Sequence, residues 1–329
     1  MSLHASQSLK CAYENALNEG GGFLASNITH PDILAGLLEG AETVGSALLI
    51  QIKRDSIEYF GRGDIEAGLT AVSGYLGALA STTPIDLYLN IDHIEWTDED
   101  LLQAVLDAGV ADSVMIDASS LDFDDNAERT REVVEQVRSV SPETYVEAEL
   151  GVIAGTESGK TINEALYTKP HEAVEFVRRT GCDLLAVSIG TEHGVTKGAN
   201  LDLRVDLADA IGQALENAGL RIPLVIHGST GLSASQLRSL MQTDVCKLNV
   251  NTRYQYEYAR AITEHLTERS ELIIPPVGVA DDVNTMFADS NWQPSKSSFN
   301  THHLSSVGQK SVAAAYAQMV ASLDEESFE

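Results

Sequence analysis

Short apolar runs recur eight times along this chain, with segments of helical period between them. The runs are Gly22 to Asn27, Ala47 to Ile52, Leu87 to Ile91, Ser113 to Asp117, Tyr145 to Leu150, Leu184 to Ile189, Leu224 to His227 and Val245 to Val250. Runs that are apolar throughout suit strands buried on both faces, and intervening helices force parallel pairing. Eight parallel strands alternating with helices predict an α/β fold, a (β/α)8 TIM barrel rather than an open sheet.

The amphipathic intervals include Pro31 to Ala41, Asp98 to Ala108, Asp124 to Val140, Pro170 to Thr180, Val205 to Ala218 and Ser233 to Met241. Ser233 ahead of Gln236 reads as a capping box, and Pro170 suits a first helical turn. Ser6 to Asn18 is expected as an N-terminal helix closing the bottom of the barrel, and Tyr254 to Leu266 as the helix after the eighth strand. The tail contains Pro275-Pro276, Asn291-Trp292-Gln293-Pro294 and a helical stretch near Val312 to Leu323. The expected organisation is a barrel over residues 1–272 and a C-terminal helical extension over 273–329 packed on it.

At 329 residues the chain has the length of one such barrel with additions. Its charge is extreme, with 49 acidic residues against 21 basic ones and a formal net charge of -28. Such a surface repels nucleic-acid phosphates and anionic lipid, which excludes both as expected partners. It also keeps its hydration where salt screens electrostatics to a few Å, the pattern of a halophilic protein. Cys11, Cys182 and Cys246 are few, scattered and odd in number, as in a reducing compartment. No apolar run approaches a membrane span, and Met1 to Lys10 lacks a signal-peptide core, so a cytoplasmic location is expected.

Chemistry-bearing residues gather where barrels keep their active sites, at the carboxyl ends of strands. His93 ends the third run, Glu149 lies near the end of the fifth, His193 follows the sixth and His227 ends the seventh. Imidazoles with one carboxylate form a donor set for a catalytic divalent metal, zinc above all. Asp92 and His93 are adjacent, and neighbours on a strand point to opposite faces. Both can face the site only if the strand is already turning into its loop.

The segments Ile91-Asp92-His93, Ser113 to Ser119, Val146 to Gly151, Tyr167 to Pro170, Ile189 to Gly194, His227 to Gly231 and Lys247 to Thr252 together resemble the class II, zinc-dependent fructose-bisphosphate aldolases. The resemblance runs in order from about Asn27 to Glu257. It implies reversible cleavage of a ketose bisphosphate, Zn2+ or a similar divalent cation as cofactor with room for a monovalent cation, and a homo-oligomer. His93, His193 and His227 would bind the metal, with Glu149 a ligand that engages when the metal shifts. Asp92 would be the acid/base at the aldehyde oxygen, and Glu157 the base that deprotonates the bound ketone. Asp117 would orient a ligand or the substrate. Asn249 would donate to the enediolate left by carbon–carbon cleavage, which a divalent metal stabilises without a Schiff-base lysine. Asn27, Gly194, Gly228, Ser229, Thr230, Asn251 and Thr252 would bind substrate and its phosphate, with Lys197 supplying charge at the loop edge.

The chain departs from the family pattern in four places. Ile94 and Ala118 stand where glycine is usual. Lys53-Arg54-Asp55-Ser56 replaces a serine and glycines after the second strand, and Phe299-Asn300-Thr301-His302 stands where longer members carry an arginine for the far phosphate. Lys53 or Arg54 would supply the missing charge, or mark a different phosphorylated ketose such as tagatose bisphosphate. A metal-binding barrel without aldolase activity is the alternative from another class.

Overall fold

The computed structural model describes residues 5–155, 166–194, 202–280, 286–287 and 290–323. Ten strands occur among them in chain order: β1 (Phe23–Asn27), β2 (Leu48–Ile52), β3 (Leu87–Glu95), β4 (Ser113–Asp117), β5 (Tyr145–Leu150), β6 (Ala154–Gly155), β7 (Leu184–Val187), β8 (Glu192–His193), β9 (Leu224–Ile226) and β10 (Val245–Val250). Eight of them close a parallel barrel in the order β1-β10-β9-β7-β5-β4-β3-β2, and β6 and β8 form a separate two-stranded pair. The expected TIM barrel is therefore the fold, and each expected run forms one of its strands.

Residue parity along the strands divides the barrel interior by polarity. Tyr88, Asn90 and Asp92 alternate inward on β3, Tyr145, Glu147 and Glu149 on β5, and Lys247 and Asn249 on β10, with register pairings that keep them on one face. The lower layers pack apolar side chains, including Ala25, Leu49, Tyr88 and Leu184, against Leu9, Ala12 and Tyr13 of the helix Leu9–Glu19. That helix closes the bottom, as expected, and the Tyr13 ring meets Phe23 edge-on at 5.4 Å. Polar inward residues are left for the upper layers, at the strands' carboxyl ends.

Two helices, Arg54–Gly61 and Ile65–Ala80, fill the interval between β2 and β3, where the sequence shows no clear helical period. The second buries Leu69, Val72, Leu76 and Ala80 on one face, but its glycines and small residues blur the contrast between its faces. The helix Thr301–Ala321 also starts well before the expected Val312. It packs against Pro31–Val44 and Thr252–Glu268, and its Val312 and Tyr316 belong to the same apolar core as the barrel wall. The approach is close enough that a Cβ on Gly40 would lie 2.7 Å from the Ala313 carbonyl oxygen. Among the described residues no helix is long and apolar enough to cross a membrane.

Candidate metal and substrate site

The backbone of β3 solves the problem of two adjacent functional residues differently from the sequence expectation. The strand does not turn into its loop after His93 but runs on to Glu95. Its register against β4 slips between Ile91 and Ile94, an extra residue on the β3 side, and His93 adopts the left-handed conformation at φ 50°. A bulge re-aims side chains in this way, and left-handed backbone at a non-glycine residue is strain held by the surrounding structure. Asp92 and His93 thereby both reach the interior. Ile94, where glycine is usual in the family, is buried in the core beyond the bulge.

The two imidazoles meet above the barrel. His93 Nε2 lies 3.1 Å from His227 Nδ1, and the rings cross edge-on. On the far side His93 Nδ1 is 2.9 Å from Asp117 Oδ2, while Asp117 Oδ1 accepts from the Ser119 backbone N–H and hydroxyl. Ser119 locks Asp117, Asp117 fixes the His93 ring, and Nε2 is left facing His227. Donor atoms of Asp92, His93 and His227 form one cluster, and those of His93, Asp117 and Glu149 an overlapping one. Two nitrogens each about 2.0–2.1 Å from one zinc lie roughly 3 to 3.4 Å apart, so the 3.1 Å separation fits a shared divalent ion.

Sequence reasoning missed the group that holds His227. Glu147 Oε1 lies 3.0 Å from His227 Nε2, and its other oxygen accepts from Lys247 Nζ; all three side chains are buried. The Asn249 amide nitrogen is also 2.9 Å from His227 Nε2, which carries at most one hydrogen. The charged Glu147 is the stronger partner for that N–H, which leaves Nδ1 as the lone-pair nitrogen toward His93 and the Asn249 amide for another partner. The Asn249 amide oxygen and one oxygen each of Asp92 and Glu149 are buried without a hydrogen bond among the described residues. The signal for Glu147 and Lys247 was positional: each sits two residues before a predicted site residue, on the same face of its strand.

The ionisation pattern follows from these contacts. Burial opposes charge on Asp92, but His93, Lys53, His227 and Lys247 hold its carboxyl well below the usual range. Burial would likewise lower the His93 pKa; Asp92 and the contact to Asp117 overcome it and raise it to about 9. For His227 burial wins, and its pKa falls to about 4 despite Glu147. Burial, reinforced by the charge of Asp117, pushes Glu149 up.

An open cleft lies over this cluster. Asp92, His93, His227 and Asn249 line it together with Gly194, Gly228, Thr230, Asn251 and Thr252, and with Asn27 and Lys53. Gly228 has φ 68°, and a Cβ there would lie 2.4 Å from the Glu192 carbonyl oxygen, so the β8 backbone sits hard against the end of β9. Ser229 begins a 3-10 turn and its hydroxyl donates to the Asn249 carbonyl at 2.6 Å, which removes that hydroxyl from ligand binding. Asn251 is the N-cap of Thr252–Glu268 and makes no side-chain cap bond. The turn and this helix N-terminus thus present backbone N–H groups to one cavity, a favourable place for an anion.

Not every predicted residue converges. Arg54 is not among the cavity-lining residues: its guanidinium donates to Glu58 at 2.8 Å, to Asp100 at 3.0 and 3.1 Å, and to Asp98. The segment Phe299-Asn300-Thr301-His302 is a helix start, in which the Asn300 side chain caps the His303 N–H. Glu157 and Lys197 lie outside the described residues, as does the side chain of His193. The His193 backbone forms β8, paired with Gly155 of β6, on a short strand of its own beyond the barrel strand it follows.

A closed parallel barrel with imidazoles and carboxylates gathered at its carboxyl rim is an arrangement that metal-dependent barrel enzymes use. The family model described as "Fructose-bisphosphate aldolase class-II" matches residues 7–325, and the chain belongs to this family. Its members are lyases. Solved structures agree with the fold: fructose-bisphosphate aldolase from Campylobacter jejuni has a TM-score of 0.79 at 20% identity, covering 96% of this chain and 93% of that one. The YdjI aldolase from Escherichia coli K12 gives 0.71 at 23% identity over 99% and 98% of the two chains. A putative fructose-1,6-biphosphate aldolase from Coccidioides immitis gives 0.73 at 22% over 97% and 96%.

Proposed function

We propose that this chain catalyses the reversible cleavage of fructose 1,6-bisphosphate to dihydroxyacetone phosphate and glyceraldehyde 3-phosphate, with zinc as its metal. The observation that carries this reading is the meeting, in one cleft, of Asp92 with an oxygen that has no hydrogen bond among the described residues, the His93–His227 nitrogen pair, and the turn after β9 and the helix start after β10. His93, His193 and His227 would hold the ion, with Glu149 in reserve. A divalent ion there supplies Lewis-acid stabilisation of the negative charge left on the ketone half of the substrate.

The remaining steps belong to side chains. In the cleavage direction Asp92, kept ionised by its cationic neighbours, takes the proton from the substrate's C4 hydroxyl as the bond to C3 breaks, and returns it in condensation. The Asn249 amide donates to the oxygen on which charge develops. Glu157 moves the proton at the carbon beside the ketone, the one whose bond to C4 breaks. The phosphate of the ketone half rests on the N–H groups around Gly228 and Thr252. A phosphorylated ketose of other stereochemistry, tagatose 1,6-bisphosphate among them, is the second reading, favoured by Lys53 after β2 and by a helix start where the family's arginine is expected. Cleavage rates across a panel of ketose phosphates decide between the two: the highest kcat/KM on fructose 1,6-bisphosphate supports the first, and no cleavage of any member would overturn both. We further propose a cytoplasmic, halophilic protein that assembles as a homo-oligomer.

A further inference from the structure

Four polar side chains stand side by side on neighbouring strands beneath Asp92. The register pairs Asn27 of β1 with Gln51 of β2, Gln51 with Asn90 of β3, and Asn90 with Ser113 of β4. All four are buried. Ser113 Oγ donates to Asn90 Oδ1 at 2.7 Å, Asn90 Nδ2 to Gln51 Oε1 at 3.0 Å, Gln51 Nε2 to Asn27 Oδ1 at 3.0 Å, and Asn27 Nδ2 to Asp92 Oδ2 at 2.9 Å. The ladder crosses four strands and returns to β3 two residues above Asn90.

Its direction follows from its ends. An ionised Asp92 accepts only, so Asn27 must turn its amide nitrogen upward and its oxygen toward Gln51. The same requirement passes through Gln51 and Asn90 to the Ser113 hydroxyl, which is free to rotate and donate. Turning any one of the three amides over sets oxygen against oxygen in one of its contacts, so the amides hold one orientation together.

We propose that Gln51, Asn90 and Ser113 are positioning residues for the aldol step: through Asn27 they pin Asp92 Oδ2, so that Oδ1 is the oxygen presented to the substrate hydroxyl. Oδ1 has no hydrogen bond among the described residues although it is buried, as an oxygen reserved for a reacting proton requires. This rests on the role proposed for Asp92. None of the three touches substrate; each acts through the next.

Two reactions separate positioning from general support. Cleavage requires Asp92, whereas solvent proton exchange of dihydroxyacetone phosphate requires Glu157 and not Asp92. Gln51→Glu keeps the size and the acceptor for Asn90 but cannot donate to Asn27, whose amide must then turn its oxygen to Asp92. Its cleavage kcat should fall by about 10- to 100-fold, within the range of a general acid/base contribution, while proton exchange changes by less than about 3-fold. Ser113→Ala, a milder variant that leaves no buried charge, should lose cleavage in the same selective way by a smaller factor, and Ser113→Thr should restore it. Equal loss in both reactions, or no loss in either, would overturn the proposal. A readout without substrate uses hydrogen exchange of the side-chain amides in ¹⁵N-labelled protein. Ser113→Ala should speed exchange at Asn90, Gln51 and Asn27 together. A change confined to Asn90 refutes the ladder. Coupled exchange in a wild-type chain that cleaves no ketose phosphate supports the ladder and overturns the aldolase reading instead.

Discussion

Neutralising Lys53 should impair the enzyme on a bisphosphate far more than neutralising Arg54, although the two are adjacent. Lys53 is the N-cap of Arg54–Gly61, lines the cavity, and lies near enough to Asp92 to lower its pKa. Arg54 points the other way, into Glu58, Asp98 and Asp100. A charge-assisted contact to phosphate contributes about 1.5 to 3 kcal/mol, so Lys53→Met should lower kcat/KM for fructose 1,6-bisphosphate by roughly 10- to 100-fold. Arg54→Met removes partly exposed ion pairs that contribute about 0 to 1 kcal/mol each to stability, and should leave kcat/KM within about 3-fold. The control is proton exchange of dihydroxyacetone phosphate, whose phosphate is proposed to rest against Gly228 and Thr252 rather than Lys53. It should be nearly unchanged in Lys53→Met. Equal loss of exchange and cleavage would make Lys53 a general support of the site, and a larger effect at Arg54 would refute the assignment of the far phosphate.

The two proposed proton-transfer carboxylates should separate in the same pair of assays: Glu157→Ala stops exchange, whereas Asp92→Ala retains exchange and loses condensation by about 10²-fold or more. Normal exchange in both would refute the roles. If the charge of -28 is a halophilic adaptation, activity and melting temperature should rise from dilute buffer toward 1 M salt, where the Debye length is about 3 Å; activity falling steadily from dilute buffer would contradict it. Burial pushes the Asp112 carboxyl, which accepts from the Leu89 N–H, up to about 6. A raised carboxyl pKa favours the protonated fold, so this contribution is full below about pH 4 and lost as pH rises through about 6. Asp112→Asn should therefore raise the melting temperature at pH 8, by at most roughly 3 kcal/mol of stability, and leave it unchanged at pH 4; destabilisation at pH 8 would refute this.

The barrel was legible because its strands are short, apolar throughout and separated by helices, so period alone distinguishes them. The helix Ile65–Ala80 was not, since a surface rich in glycine and alanine has no sharp apolar stripe. At the site, residues that end strands stood out: Asp92, His93, His227 and Asn249 line one cavity, as strand ends on a barrel rim must. What surrounds them was hidden. Glu147, Lys247, Gln51, Asn90 and Ser113 lie inside otherwise apolar runs, where a polar residue reads as an exception until the register shows which side chains share the interior. At His93 the sequence pointed to a strand turning into its loop, whereas the strand runs on through a bulge; local sequence does not distinguish a strand that turns from one that slips by a residue. Lys53 and Arg54 looked equivalent, and Asp98 and Asp100, far along the chain, join Glu58 in drawing Arg54 away.

If a divalent metal drives cleavage without a covalent lysine adduct, removing that metal should abolish it. Chelator-treated protein should lose cleavage of fructose 1,6-bisphosphate, stoichiometric zinc should restore it, His193→Ala should retain neither bound zinc nor activity, and borohydride with substrate should trap no adduct. Full activity in the metal-free chain, or a trapped lysine adduct, would contradict the account.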